Sequence, residues 1–128
     1  MKYALLIFPK PGSHEALGPD EYGPVNAEYL ALRDDPRITV ISKGVDEHDG
    51  YSAFDHTDLA AQLHNQNVEE IVIAGLATDY CVKSSVLDAL KHGFKVKAIE
   101  NAMRPVDLQP GDGDRAIDEM RDAGAEVI

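Results

Sequence analysis

The sequence predicts an α/β domain of three layers, α/β/α, around a mainly parallel sheet of about five strands, a prediction resting on three observations. Short apolar, β-branched runs recur along the chain. Between them lie stretches with helical spacing, the alternation that favours parallel strands joined by right-handed crossovers. One run, Ile71 to Ala74, is apolar throughout, as in a strand covered on both faces.

The elements follow in order. Tyr3 to Phe8 reads as a first strand, ended by Pro9-Lys10-Pro11-Gly12. Pro19-Asp20-Glu21 opens a helical pattern with Val25, Tyr29 and Leu32 on one side, closed at Asp34-Asp35-Pro36. Ile38 to Ile41 reads as a second strand, ending at Ser42-Lys43-Gly44, and a polar loop follows. Asp55 or Thr57 can cap a helix carrying Leu59, Ala60 and Leu63, with its stop at Asn65 to Asn67. After the Ile71 strand the chain passes directly through Gly75-Leu76-Ala77-Thr78-Asp79-Tyr80-Cys81 into a helix. Val82, Val86, Leu87 and Leu90 form its expected inward stripe, and His92-Gly93 its end. Phe94 to Ile99 is a further strand, Asp114 to Ala123 a short helix, and Ala125 to Ile128 a last strand.

Composition narrows the function. The chain has 128 residues, the size of one domain, with 44% hydrophobic and 27% charged residues, an ordinary globular balance. A net charge of −11, spread over short acidic clusters, argues against nucleic acid or an anionic membrane as partner. No apolar run reaches the roughly 20 residues that a membrane helix needs, and Met1 to Gly12 is too short in apolar core for a secretory signal. A cytoplasmic location is the expectation. The single cysteine cannot form an internal disulfide, which leaves a buried filler, an intermolecular link or a reactive thiol.

A thiol attacks as its thiolate, and helix N-termini and nearby cations favour that form. Cys81 is placed in the first turn of a helix after a strand, where unpaired N–H groups gather and could also hold an oxyanion. Lys43 ends the other strand, and Gly44 leaves room beside it. Ligands of parallel sheets sit at the carboxyl ends of the strands, where both residues fall.

The segment Gly75 to Lys83 resembles the nucleophile segment of the nicotinamidases, within the isochorismatase-like hydrolase superfamily. The resemblance runs upstream through Lys43-Gly44, Tyr51-Ser52-Ala53-Phe54 and Asp55-His56-Thr57. Downstream it continues through Leu87-Asp88-Ala89, Gly93 to Val96 and Arg115 to Met120, and so covers residues 38–128. It implies a truncated form of that fold and a small amide as substrate. Cys81 would attack the carboxamide of nicotinamide to give a thioester and ammonia, and Lys43 would favour the ionised thiol. It further implies a cis peptide before Ala77, an oxyanion hole from the N–H groups of Ala77 and Cys81, and Tyr51 and Phe54 near the pyridine ring. The alternative for Tyr51 and Phe54 is that of ordinary core aromatics.

The family also uses an Asp base at the end of its first strand and a metal site with an Asp-x-His segment. Here Pro9 falls where the base would stand, and His48, His56 and His64 lack the family's spacing. No metal and no other cofactor are expected, and Glu15, Asp20 or a partner subunit's carboxylate are the candidate replacements for the base. Residues 1–37 instead resemble the opening of the YCII-like proteins, through Met1 to Ile7 and Glu28-Tyr29-Leu30-Ala31-Leu32. The expected organisation is thus a single domain with a strand-helix opening over 1–37 and a nicotinamidase-like catalytic half over 38–128. Missing elements would leave apolar surface, from which a homo-oligomer is expected. The alternative to an amidohydrolase is a catalytically incomplete domain serving small-ligand binding or assembly.

Overall fold

The computed structural model describes residues 34–44 and 50–128, residue 31, and the backbone of residues 2–7. The helical pattern expected from Pro19 to Leu32, and Pro9, Glu15, Asp20 and His48, lie outside the described residues, apart from Ala31, which is helical. The chain divides into two compact units, one of residues 1–8 and 42–128, the other of residues 9–41.

In the larger unit four strands, β1 (Lys2–Ile7), β2 (Glu70–Leu76), β3 (Lys95–Arg104) and β4 (Glu126–Val127), form one sheet in the order β1-β2-β3-β4. Every pairing is parallel, with Tyr3 opposite Ile71, Ile71 opposite Val96, and Ala98 opposite Val127. Parallel neighbours need crossovers, and helices supply them: α1 (Leu59–Asn65), α2 (Lys83–Lys91) and α3 (Asp112–Asp122).

The expected strand at Ile38 to Ile41 is absent, so the described sheet has four strands and not about five. Ile38 N–H donates to the carbonyl of Asp35 at 2.9 Å, closing a turn, and Ile38 and Val40 are exposed. A β-branched run makes a strand only on a surface that half-buries it, and in this run only Ile41 is half-buried.

The core is the middle of the sheet and the helices on it. Ile71, Ile73, Val96 and Ala98 are buried, as are Val82, Val86, Ala89, Ile117 and Met120. Each fully buried aliphatic side chain contributes roughly 1.5–3 kcal/mol of apolar transfer. The inward stripe of α2 is Ser85, Val86 and Ala89, whereas Leu87 and Leu90 are only half-buried. Small residues at positions 85 and 89 therefore face inward, and the larger leucines lie at the flank.

Helix ends fall where their residues can turn left-handed. Asn67, Gly93 and Gly124 all have positive φ, and just beyond each the chain closes back onto its helix: Val68 to Leu63, Phe94 to Ala89, Ala125 to Met120. β3 runs on to Arg104, past its expected end at Ile99, with a register shift against β2 between Ile73 and Gly75.

Candidate active site

β2 delivers the chain to its carboxyl end at Leu76. The Leu76–Ala77 peptide is cis, and Ala77 is extended before a π-helical turn, Thr78–Val82, that leads into α2. The carbonyl of Ala77 accepts from Tyr80 N–H at 3.2 Å and Val82 N–H at 3.0 Å, which winds the turn. Such wide turns gather at functional sites because they reaim side chains. Cys81 sits in this turn and is half-buried.

Lys43 meets it there. Its Nζ lies 3.3 Å from Cys81 Sγ and donates to the carbonyl of Gly50 at 2.7 Å. An ammonium held at that distance stabilises negative charge on sulfur, and the carbonyl fixes the ammonium in place. Its backbone support is equally specific. Gly50 has φ +59°, and a Cβ there would stand 2.3 Å from Gly44 Cα. The two glycines allow the strands of the loop to touch backbone to backbone, which brings the Gly50 carbonyl to the lysine.

The loop after Gly50 is fastened to α2. Ser85, fully buried, accepts from Ala53 N–H at 2.9 Å, and Ser52 Oγ accepts from Phe54 N–H at 3.1 Å. Thr57 Oγ1 donates to the carbonyl of Ala53 at 2.6 Å. Ser52 also hydrogen-bonds Asp88. Burial alone would push the Asp88 carboxyl up, but the Ser52 bond and the bond and charge of Lys91, helped by His92, hold it below the usual value. The helix that begins at the cysteine thus carries the loop that holds the lysine's anchor.

Tyr51 is exposed, with its ring 5.6 Å from that of Tyr80, the residue before Cys81. Phe54 is buried, with ring neighbours Phe94 at 6.1 Å and His92 at 5.4 Å. It is placed as a core aromatic, on the apolar side of its loop.

His56 pairs with Asp55 at the surface, and His64 stacks on Phe94 at 4.5 Å. Among the described residues no three His, Cys, Asp or Glu side chains come together, so they offer a metal no donor set. A groove of about 410 Å³ runs along the carboxyl ends of β2 and β3, between Gly75, Leu76, Met103 and Arg104. Another, of about 340 Å³, lies between Tyr51, Ser52 and α2. Neither has Cys81 in its lining.

The structure brings Cys81 and Lys43 side by side, on supports that sequence reasoning did not identify. Gly50, Ser52, Ser85 and Asp79 carry the anchoring bonds. The Asp49-Gly50 pair was a turn signal, and an Asp in the first turn after a strand was a signal for a side chain that binds backbone N–H groups.

The described residues thus form a parallel α/β sheet with a lysine–cysteine pair at its carboxyl end. The Isochorismatase domain family model matches residues 18–128, and the chain belongs to that family. It is 46% identical to the nicotinamidase of Escherichia coli (strain K12) over 85 residues, covering 62% of this chain and 40% of that one. To the nicotinamidase of Acinetobacter baylyi it is 33% identical over 96 residues, 70% of this chain and 44% of that one. The chain therefore spans less than half the length of these two curated relatives.

Among solved structures, PnC1 from L. infantum in complex with nicotinate is 34% identical, with a TM-score of 0.66 over 73% of this chain and 50% of that one. The pyrazinamidase of Pyrococcus horikoshii in complex with zinc has a TM-score of 0.74 over 98% of both chains at 24% identity, a likeness of fold.

Proposed function

We propose that the protein is a nicotinamidase-like amidohydrolase, acting in the cytoplasm on nicotinamide or a similar small amide. The observation that carries this reading is the 3.3 Å approach of Lys43 Nζ to Cys81 Sγ at the carboxyl end of the sheet. The sulfur attacks the carboxamide carbon, forming a C–S bond, and the C–N bond breaks as the nitrogen leaves, protonated, as ammonia. Water then attacks the thioester, the C–S bond breaks, and the acid and the thiol are released. The N–H groups of Ala77 and Cys81 hold the oxyanion, and Tyr51 packs against the ring. A carboxylate carries the protons between the leaving nitrogen, the water and the thiol. The names of the nicotinamidase relatives, and the nicotinate bound by the PnC1 structure, support the choice of substrate.

Ammonia release from nicotinamide by wild type and by Cys81→Ala tests the reading. Release by wild type alone is expected, and equal signals from the two would overturn it.

A second reading has its own support in exposed apolar side chains at the carboxyl end of the sheet and beyond it. In it, the domain keeps the fold for small-ligand binding or assembly. Exposed Leu76, Val106, Leu108 and Ile128 suit self-association, and a homo-oligomer is proposed under either reading. Sedimentation that stays monomeric at high concentration would count against the oligomer.

A further inference from the structure

Asp79 stands two residues before Cys81, inside the same π-helical turn, and its carboxylate is used in a way that the hydrolytic reading leaves unexplained. One oxygen accepts from Val106 N–H at 2.9 Å and the other from Asp107 N–H at 3.0 Å. Two consecutive backbone donors thus converge on one side chain of the nucleophile turn, from a segment 27 and 28 residues away in sequence.

That segment is itself fixed on its far side. Asp107 is in the left-handed region, φ +51°, and its Oδ1 accepts from Gly113 N–H at 2.8 Å, in the first turn of α3. Gly113 is buried against Pro105: a Cβ there would lie 2.7 Å from the Pro105 ring. From α3 the path returns to the start of α2, where Lys83 pairs with Glu119 at 3.1 Å. The turn holding Cys81 is therefore clamped at both ends: by Asp79 to the loop after β3, and by Lys83 to α3. Beside the packing of buried Thr78 and Val82, Asp79 ties the turn by hydrogen bonds to the loop after β3.

We propose that Asp79 is a positioning residue: by gripping Val106 and Asp107 it holds the nucleophile turn so that the Cys81 sulfur stays at the Lys43 ammonium. The inference rests on the reading of Cys81 as a reacting thiol, but not on which amide it attacks. Direct charge and positioning act in opposite directions here. A carboxylate near a thiol disfavours a second negative charge, so removing it acts through charge to speed thiolate chemistry. Removing a clamp slows it, because the sulfur no longer rests beside its cation.

The test is the rate at which iodoacetamide alkylates Cys81 at neutral pH, without substrate, in wild type, Asp79→Asn and Asp79→Ala. Hydrogen exchange of the amides at 106 and 107 and thermal melting are read alongside. Asn keeps one accepting oxygen and the shape, Ala neither. Slower alkylation is expected, about tenfold for Ala with Asn between, and faster exchange at 106 and 107 in both. Unchanged or faster alkylation in a folded variant overturns the proposal, including the case where melting falls and alkylation does not, which makes Asp79 merely structural. Should Ala fail to fold, the sign of the Asn change decides. Ammonia release separates the two claims. If wild type releases none but alkylation still depends on Asp79, the amidohydrolase reading falls and the positioning role stands; the reverse result removes the positioning role alone.

Discussion

Gly50 and Gly44 meet backbone to backbone, with no space between them for even a methyl group, and this contact presents the Gly50 carbonyl to the Lys43 ammonium. A lysine in a loop would ordinarily trail into solvent. Here a short N–H···O bond of 2.7 Å directs it back towards the thiol.

Gly50→Ala therefore meets two obstacles, a Cβ 2.3 Å from Gly44 Cα and a φ of +59° that L side chains disfavour. The loop must shift, at an expected cost of roughly 1–3 kcal/mol. Urea denaturation should show that loss, and iodoacetamide labelling of Cys81 should slow with it. Labelling at the wild-type rate would mean that the lysine does not depend on this contact.

Lys43→Met removes the cation from beside the sulfur and leaves the Gly50 carbonyl without its donor. A half-exposed pair of this kind is worth up to about 1 kcal/mol, so alkylation at neutral pH should fall by up to about fivefold. Lys43→Arg keeps a charge but not a compact ammonium, and should recover part of the rate. Stopped-flow labelling of the three proteins checks the order wild type, Arg, Met.

Ser85→Ala deletes a fully buried hydroxyl that accepts from Ala53 N–H at 2.9 Å. The stranded N–H should cost about 1–3 kcal/mol in chemical denaturation. Faster hydrogen exchange over residues 51–54 is the local signature, since this bond holds their loop to α2.

Asp88 gives a pH dependence with a definite sign. Its carboxyl is held below the usual 3.8, burial being outweighed by Ser52, Lys91 and His92, so the folded state binds its proton less readily than the unfolded one. The contribution is fully present above the unfolded value and is lost as pH falls through the lowered folded one. With Lys91 exposed it is small, under about 1 kcal/mol. Asp88→Asn should lower stability near neutrality and weaken its decline between about pH 5 and pH 3, as followed by melting temperature.

Much of this was written in the sequence where a residue had one physical use. The continuous apolar run Ile71 to Ala74 could only be a covered strand, and Asn67, Gly93 and Gly124 stop helices because they accept positive φ. The place of Cys81 just past a strand was legible, whereas Lys43 was expected at the end of a strand that does not form. What could not be read depends on neighbours distant in sequence. Ile38 to Ile41 has strand propensity but is mostly exposed, and Ser85 faces inward beside Val86 and Ala89 where Leu87 was expected, its oxygen accepting from Ala53 N–H. Phe54 was expected near the substrate ring, with a core place as the alternative, and its ring lies near Phe94 and His92. The grip of Asp79 on Val106 and Asp107 spans a helix and a strand that no local pattern connects.

The central claim, that Cys81 is the group that takes up the acyl part of a small amide, is tested most directly by trapping it. Protein mixed with nicotinamide, quenched in acid and digested, should carry a nicotinoyl group on the peptide containing Cys81, with none in Cys81→Ala. Ammonia released while that peptide stays unmodified, or released equally by Cys81→Ala, would contradict the account.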